Sequence, residues 1–472
     1  LAQTKKRRPT LAAVILAAGK GKRLRSATPK VLHPIVGRPA LWHVLRAAAA
    51  AKPDRIAVVI GHGGDRVREA IRSWDVSPRP TFVEQGELLG TGHAVLAAER
   101  AVGRVDEVLV LAGDDPLVEG RHVKQVLGVH HRTRAAASFL TTMVDEPGGY
   151  ARVIRDGTRL VELVEDVDAM PAARAIHEIG VVVYAFRRED LFRALPAVGR
   201  DNRQREHYLN DVIPILMDKG ERVSAALADF GGWAGVNSRE TIARCERILR
   251  ARINGRLMDA GVTIVDPDTT YVDVGVTVAR DVTLLPMTFL EGSTRIGRGA
   301  TVGPNSRLVD TRVGGRSEVS FSVTEGATIG RDVRVGPFTR LRPGAVLEDG
   351  SVVGGFVEVN RARVGKGSVA KHLAYIGDAR IGEGVNVGAG TVFVNYDGYG
   401  KHQTVVEDGA RIGSDTMLVA PVRIGRNATT GAGSVITQDV PDGALGVERA
   451  EQRIVQGYRK RKDAEHRRGG KG

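Results

Sequence analysis

The chain has a single cysteine, Cys245, and aromatic residues make up only 4 % of its 472 positions. One cysteine excludes an internal disulfide framework and fits a reducing, cytoplasmic setting. Cys245 lies among Ile242, Ile248, Leu249 and Ile253 at helical spacing, so it is expected to pack rather than react. The scarcity of aromatics leaves the cores to Val, Ile and Ala. It also leaves little to stack on bases, and with no recognition module it argues against nucleic-acid binding. No segment approaches the ~18 apolar residues of a membrane span. Leu11–Ala18 behind the basic Lys5–Arg8 imitates a signal peptide, but it runs into Gly19-Lys20-Gly21-Lys22-Arg23 instead of a cleavage site. It is expected to be a first buried strand.

Glycine and positive charge are abundant. The net charge of +14 includes basic ends, Lys5–Arg8 and a tail with Arg459, Lys460, Arg461, Lys462, Arg467 and Arg468. Beyond solvating the surface, such a balance attracts polyanions such as nucleotides and sugar phosphates. Many of the 58 glycines belong to a repeat between Val262 and Val440, in which an aliphatic residue followed by Gly recurs at steps of about six. Ile296-Gly297 with Val302-Gly303, Ile329-Gly330 with Val335-Gly336, and Ile381-Gly382 with Val387-Gly388 are examples. That period suits neither an α-helix nor a simple alternating strand. It predicts a left-handed parallel β-helix of hexapeptide repeats, with the aliphatic residue inside and the small one at a tight corner. Few chemistries are built on such prisms, acyl transfer from a coenzyme A thioester being the commonest.

Upstream, apolar runs alternate with helical stretches. Ala12–Leu16, Ile56–Ile60, Val108–Ala112, Ala136–Thr141 and Val181–Phe186 are predicted strands; Leu41–Ala51, Gly92–Ala101 and Leu209–Lys219 are predicted helices. This pattern implies an α/β Rossmann-like domain with a mostly parallel sheet, binding ligands at the carboxyl ends of its strands. The expected organisation is a basic tail (1–10), a nucleotide-binding domain (11–237), a linker helix (238–261) ended by Gly261, the β-helix (262–447) and a basic tail (448–472), without regular structure from about Asp463.

The first chemical site follows the first strand. Leu16-Ala17-Ala18-Gly19-Lys20-Gly21-Lys22-Arg23 is succeeded by Pro29-Lys30-Val31-Leu32. Glycines let backbone N–H groups approach phosphates while Arg23 and Lys30 supply charge. No Gly-Lys-Ser/Thr closes the loop, so it is not a P-loop. These residues resemble the nucleotide-sugar pyrophosphorylase family. With the hexad region attached, the chain from about Ala13 to Arg449 resembles the bifunctional N-acetylglucosamine-1-phosphate uridylyltransferase / glucosamine-1-phosphate N-acetyltransferase family.

The resemblance implies UTP binding by Leu16, Ala17, Ala18, Gly19 and Lys30, with Gln85, Gly90 and Thr91 on the uracil, and catalytic roles for Arg23 and Lys30. It implies Mg²⁺ on Asp114, ahead of Asp115, and on Asn237. From the residues alone, Asn237 is equally a helix N-cap with Glu240 at N3. Ala151, Glu165, Gly180 and Asn237 occupy the sugar-phosphate positions. Two of these depart from the pattern: Gly180 stands where the family has a sugar-binding Asn, and Tyr150-Ala151-Arg152 where it has Tyr-Gly-Arg. The lost contact, with added bulk at Ala151 and Val182, is expected to weaken or relax sugar binding.

The hexad phase is disturbed between Val364 and Ile381 and broken between Phe393 and Val406, where outward loops are expected. His372, beside Tyr375, matches the acetyl-transfer base, a role suited to imidazole. By resemblance Arg342, Asn360, Tyr375 and Asn386 hold the sugar phosphate, while Ala389, Asn395, Tyr396, Ser414, Ala432 and Arg449 line the acetyl-CoA path. Asn360 replaces a phosphate-binding Lys and Lys371 replaces Gly or Pro, so Lys371 or Arg361 is a candidate substitute contact. The resemblance also implies a homotrimer. Two other readings stay open: a single-activity nucleotidylyltransferase with a structural β-helix, and a non-catalytic assembly subunit.

Overall fold

A computed structural model describes residues 8–469, with a terminal helix running to Gly469. Residues 5–7 of the first basic run and 470–472 of the last lie outside the described residues. The chain divides into two compact units. One comprises Leu1–Gly255 with Val272–Val274, and the other Arg256–Tyr271 with Gly275–Gly472.

In the first unit the principal strands are β1 (Leu11–Ala17), β2 (Arg55–Ile60), β3 (Thr81–Glu84), β4 (Glu107–Ala112), β5 (Ala137–Met143), β6 (Arg152–Asp156), β7 (Arg159–Val164), β8 (Glu178–Arg187) and β9 (Val223–Leu227). Their order is β9-β5-β8-β4-β1-β2-β3, with the β6–β7 hairpin branching from β8. β8 runs antiparallel to β4 and β5, whereas β1–β2, β1–β4, β2–β3 and β9–β5 are parallel. Val14, Val59, Val110, Phe139 and Tyr184 share one core cluster, so the central strands read as continuous apolar runs. The chain leaves β1 between β4 and β2, a topological switch point, and Gly113 N–H donates to the Leu16 carbonyl at 2.8 Å. The loops after β1 and β4 therefore open side by side.

Local chemistry moves several predicted boundaries. The stretch expected as one helix from Gly92 is two, Thr91–Ala97 and Glu99–Val102, and Leu209–Asp211 is a 3₁₀ turn before the helix Val212–Asp218. The long helix spans Arg239–Asp259, and Cys245 is buried in it, its thiol pushed up to about 12 by burial and donating to the Ala234 carbonyl.

The second unit winds into three parallel sheets, each strand before the last coil pairing with the strand three along in sequence, as in a left-handed β-helix. One inward column, Leu284, Val302, Val319, Val335, Val353, Ala370, Val387 and Ile412, stacks coil on coil and is buried throughout. Each such Val or Ile contributes about 1.5–3 kcal/mol of burial. Buried hydroxyls close the corners: Thr288 Oγ1 donates to the Leu285 carbonyl at 2.7 Å, and Ser317 Oγ to the Gly330 carbonyl of the next coil at 2.7 Å.

Two expectations about this region change. Between Val364 and Ile381 no loop projects: Val369 aligns with Asn386, 17 residues on, the same rise as Val352 to Val369. The loop lies in the following coil, where Asn386 aligns with Arg411, 25 residues on. The expected structureless tail instead contains the helix Tyr458–Gly469. Arg459–Asp463 and Lys462–Glu465 ion pairs brace it, and no glycine or proline interrupts it before its end.

Candidate active sites

The loop after β1 carries a short 3₁₀ turn, Lys22–Leu24, and a second, Lys30–Leu32, brings the Lys30 ammonium back across it. Lys30 Nζ donates to Asn237 Oδ1 at 2.8 Å and forms an ion pair with Asp114. Arg23 donates to the same Asn237 oxygen at 3.1 Å. Four groups from three distant segments thus converge at the carboxyl edge of β1 and β4. Asn237 is not the N-cap of the following helix. Ser238 is: its Oγ accepts from Thr241 N–H at 3.2 Å, and Thr241 Oγ1 accepts from Ser238 N–H at 2.9 Å. Asn237 is thereby free to turn its amide oxygen toward Lys30.

A cation already sits between a carboxylate and an amide oxygen here, and this hard-oxygen pair suits Mg²⁺, which completes its shell with phosphates and water. Among the described residues no cluster of three or more His, Cys, Asp or Glu side chains forms a self-sufficient metal cage. Asp114 is the accessible acid. Its neighbour Asp115 is buried, and that burial, with the Asp114 charge, holds its carboxyl well above the ordinary range.

Gln85 is buried, and its Nε2 donates to the Gly90 carbonyl at 3.0 Å and faces His93 Nδ1 at 3.3 Å. Gly90 has φ 110°, and a Cβ there would stand 2.5 Å from the His207 carbonyl oxygen, so this turn requires glycine. Thr91 Oγ1 accepts from Leu209 N–H at 2.9 Å, tying this segment to the 208–211 turn.

Glu165 is oriented by a residue that sequence reasoning missed, Asn210. The Asn210 amide donates to Glu165 Oε1 at 2.7 Å, and its oxygen accepts from the Tyr184 hydroxyl. Burial, then the charges of Asp211 and Asp168, pushes the Glu165 carboxyl up to about 7. The two departures from the family pattern are bonded to each other, Gly180 N–H donating to the Ala151 carbonyl at 2.9 Å. Ala151 belongs to the core cluster and Val182 packs against it, so the expected bulk beside the sugar is largely absorbed by packing. A Cβ at Gly180 would meet Leu163 at 2.9 Å, so restoring an Asn would require Leu163 to move.

In the β-helix, His372 is exposed at the end of the strand Val369–His372, level with Gly355 of the preceding coil. Arg342 pairs with Glu358 at 3.1 Å, and Glu358 is level with Tyr375. The Tyr375 hydroxyl lies 2.6 Å from where a Gly377 Cβ would be, so its ring needs glycine beside it. Asn360 is buried, and its Oδ1 accepts from Arg361 at 3.4 Å. Arg361 itself grips Asp378 with two bonds of 2.7 and 2.8 Å, and Asn395 donates to the same carboxylate. Arg361 is therefore committed, leaving Lys371 as the exposed candidate for a substitute phosphate contact.

Asn386 is exposed beside Val369. Ala389, Ser414 and Ala432 stack at one corner, since Asp415 N–H donates to the Ala389 carbonyl at 2.7 Å and Gly433 N–H to the Ser414 carbonyl at 2.8 Å. Arg449 ends this line, donating to the Ala432 carbonyl at 3.2 Å. The loop beyond Asn395 is organised by Asp397, which accepts from Tyr399 N–H at 2.8 Å, Gly400 N–H at 2.7 Å and His402 at 2.7 Å. These bonds hold its carboxyl well below the usual carboxylate range. Tyr396 remains exposed, its hydroxyl donating to the Gly398 carbonyl.

Residues 13–211 match the MobA-like NTP transferase domain, and residues 326–361 and 403–438 match the six-repeat bacterial transferase hexapeptide. The bifunctional protein GlmU of Streptomyces avermitilis is 46 % identical over 96 % of this chain and 94 % of its own length. The chain belongs to the GlmU family. The GlmU proteins of Heliobacterium modesticaldum and Carboxydothermus hydrogenoformans are 44 % and 42 % identical, covering 95 % and 93 % of this chain and 98 % of each relative. Within this GlmU architecture Asn210, Asp378 and Asp397 are the organising residues that the sequence did not disclose. Asn210 and Asp378 act through a second side chain, and Asp397 through its own turn, so no spacing rule marks them.

Proposed function

We propose that the chain makes UDP-N-acetylglucosamine in two steps, one in each unit. The β-helix transfers acetyl from acetyl-CoA to glucosamine-1-phosphate. The α/β unit then transfers uridylyl from UTP to N-acetylglucosamine-1-phosphate and releases pyrophosphate. The observation that carries this reading is the convergence of Arg23, Lys30, Asp114 and Asn237 at one sheet edge, in a chain that also keeps His372 and Tyr375 on its prism.

In the uridylyl site the backbone of Leu16–Gly19 cradles the phosphates, and Gln85, Gly90 and Thr91 frame the base. Arg23 and Lys30 neutralise the charge that moves onto pyrophosphate as the sugar-phosphate oxygen attacks the α-phosphorus in line. Asp114 and Asn237 would hold Mg²⁺, which when bound supplies charge neutralisation at the phosphates. Glu165 orients the sugar.

In the acetyl site His372 takes the proton of the substrate amine as its nitrogen attacks the thioester carbonyl, and coenzyme A leaves as the thiol. Arg342 and Lys371 face the sugar phosphate, Tyr375 and Asn386 hold the sugar, and Asn395 and Tyr396 stand at the edge of the acetyl-CoA path. The corner line Ala389, Ser414, Ala432 and Arg449 receives coenzyme A.

A homotrimer of prisms in the cytoplasm completes the reading. It is supported by an apolar ridge in which Phe321 packs tilted against Phe338 and Phe338 stacks on Phe356, with centroids 5.7 and 5.1 Å apart. All three are exposed in the single chain, as is Leu373. Among the described residues no helix is long and apolar enough to cross a membrane.

Pyrophosphate release and coenzyme A thiol release, measured separately on one preparation, test the assignment. Both are expected. Pyrophosphate alone would favour a single-activity enzyme, and neither would leave an assembly subunit.

A further inference from the structure

β9 is the outermost strand of the first unit's sheet and pairs with β5 alone. The Arg222 carbonyl accepts from Ala136 N–H, and Ala228 N–H donates to the Thr141 carbonyl, each at 2.8 Å. Alternation along the strand therefore turns Ser224 and Ala226 toward β5, and Val223, Ala225 and Leu227 away from it. The outward Leu227 carbonyl is satisfied by Gln125 Nε2 at 3.0 Å. The outward N–H and C=O groups of Val223 and Ala225 have no intramolecular partner among the described residues.

Both residues are half-buried and border a cleft of about 770 Å³, also lined by the start of β7 and the end of the helix Gly120–Thr133. Arg132, Arg159 and Arg222 line the same cleft, and among the described residues no carboxylate pairs with any of them. Arg222 donates only to the Thr133 carbonyl, at 3.0 Å. Glu221, the one acid in the lining, is held by Arg187. Leu160 and Met217 add apolar surface.

We propose that this cleft binds an extended acidic segment of a partner protein, which adds to β9 as a further strand and sets its carboxylates against Arg132, Arg159 and Arg222. Strand addition satisfies the outward backbone groups, and alternate side chains supply selectivity. Charges that merely guard an edge from aggregation need no cavity beside it. A small polyanion would answer the arginines but leave the Val223 and Ala225 backbone unpaired. The inference is independent of the two transfer reactions.

The probe is a fluorescein-labelled eight-residue peptide of alternating Glu and Val, followed by anisotropy with the full chain. Ala225→Pro removes an outward N–H and leaves the β5 ladder intact, so it should weaken binding by about tenfold or more. The double variant Arg132→Glu/Arg159→Glu should do the same, and in both variants pyrophosphate and thiol release should match the parent. A Glu–Val peptide N-methylated on alternate residues tests the same hydrogen bonds without altering the protein and should not bind. The proposal fails if the Glu–Val peptide does not bind at about 1 mM, a weak-complex limit. It fails equally if the N-methylated peptide binds as well, or if Ala225→Pro folds and binds undiminished. Displacement by inorganic pyrophosphate at an equal concentration would make the cleft a small-anion site instead.

Discussion

The side-chain amide of Asn210 is fixed at both ends, donating to Glu165 at 2.7 Å and accepting from Tyr184. Glu165 is therefore already oriented for the role proposed for it at the sugar subsite. Asn210→Leu removes the donor and should raise KM for N-acetylglucosamine-1-phosphate about tenfold, the loss of roughly one hydrogen bond to a charged acceptor. Thiol release should not change. An unaltered KM would show that Glu165 needs no such support.

The same carboxyl makes stability depend on pH. Glu165 titrates near 7 in the folded chain against an ordinary 4.5, so between these values the native state holds more protons than the unfolded one. Its contribution is then lost as pH rises through that window. Glu165→Gln should gain Tm over the parent as buffers move from about pH 5 to about pH 8. A difference in Tm independent of pH would contradict the shift.

Lys30 bridges the two proposed Mg²⁺ ligands. Lys30→Ala should lower kcat for pyrophosphate release by about 10²–10³, as for loss of one preorganised charge at a transferring phosphoryl group. Asn237→Ala should raise the Mg²⁺ concentration needed for half-maximal pyrophosphate release. Thiol release serves as the internal control for both.

His372→Ala should depress thiol release by about 10²–10⁴, the usual worth of a general base. Pyrophosphate release should persist. Retained thiol release would place the base elsewhere on the prism.

The stacked ridge gives an assembly test. Phe338→Asp/Phe356→Asp should shift the mass in solution, measured by light scattering after gel filtration, from three chains toward one. Thiol release should fall with it while pyrophosphate release remains. An unchanged mass would remove the ridge from the interface.

The sequence disclosed the β-helix because an inward aliphatic every sixth residue is a direct imprint of its geometry. It disclosed Lys30 and Asp114 because a loop after a strand must end at the carboxyl edge of a sheet. It offered Asn237 as the helix cap, because Asn caps well, and only the backbone gives that role to Ser238. Asn360 stands by resemblance at a phosphate-contact position of the proposed acetyl site, and its burial follows from a register that the hexad pattern leaves loose at the corners. The ion pairs of the last helix overrode a composition that by itself suggests no structure.

The corner hydroxyls of the prism bond to their own coil and to the next, and each coil touches only its neighbours along the axis. Such a column opens like a zipper, from whichever end is least supported. Amide protons near Ile264 and Leu445 should exchange fastest, and those around Val335 slowest. The proposed acetyl site, built on the coils of Arg342 to Ala432, would then lose its coenzyme A end before its sugar end as the protein begins to melt.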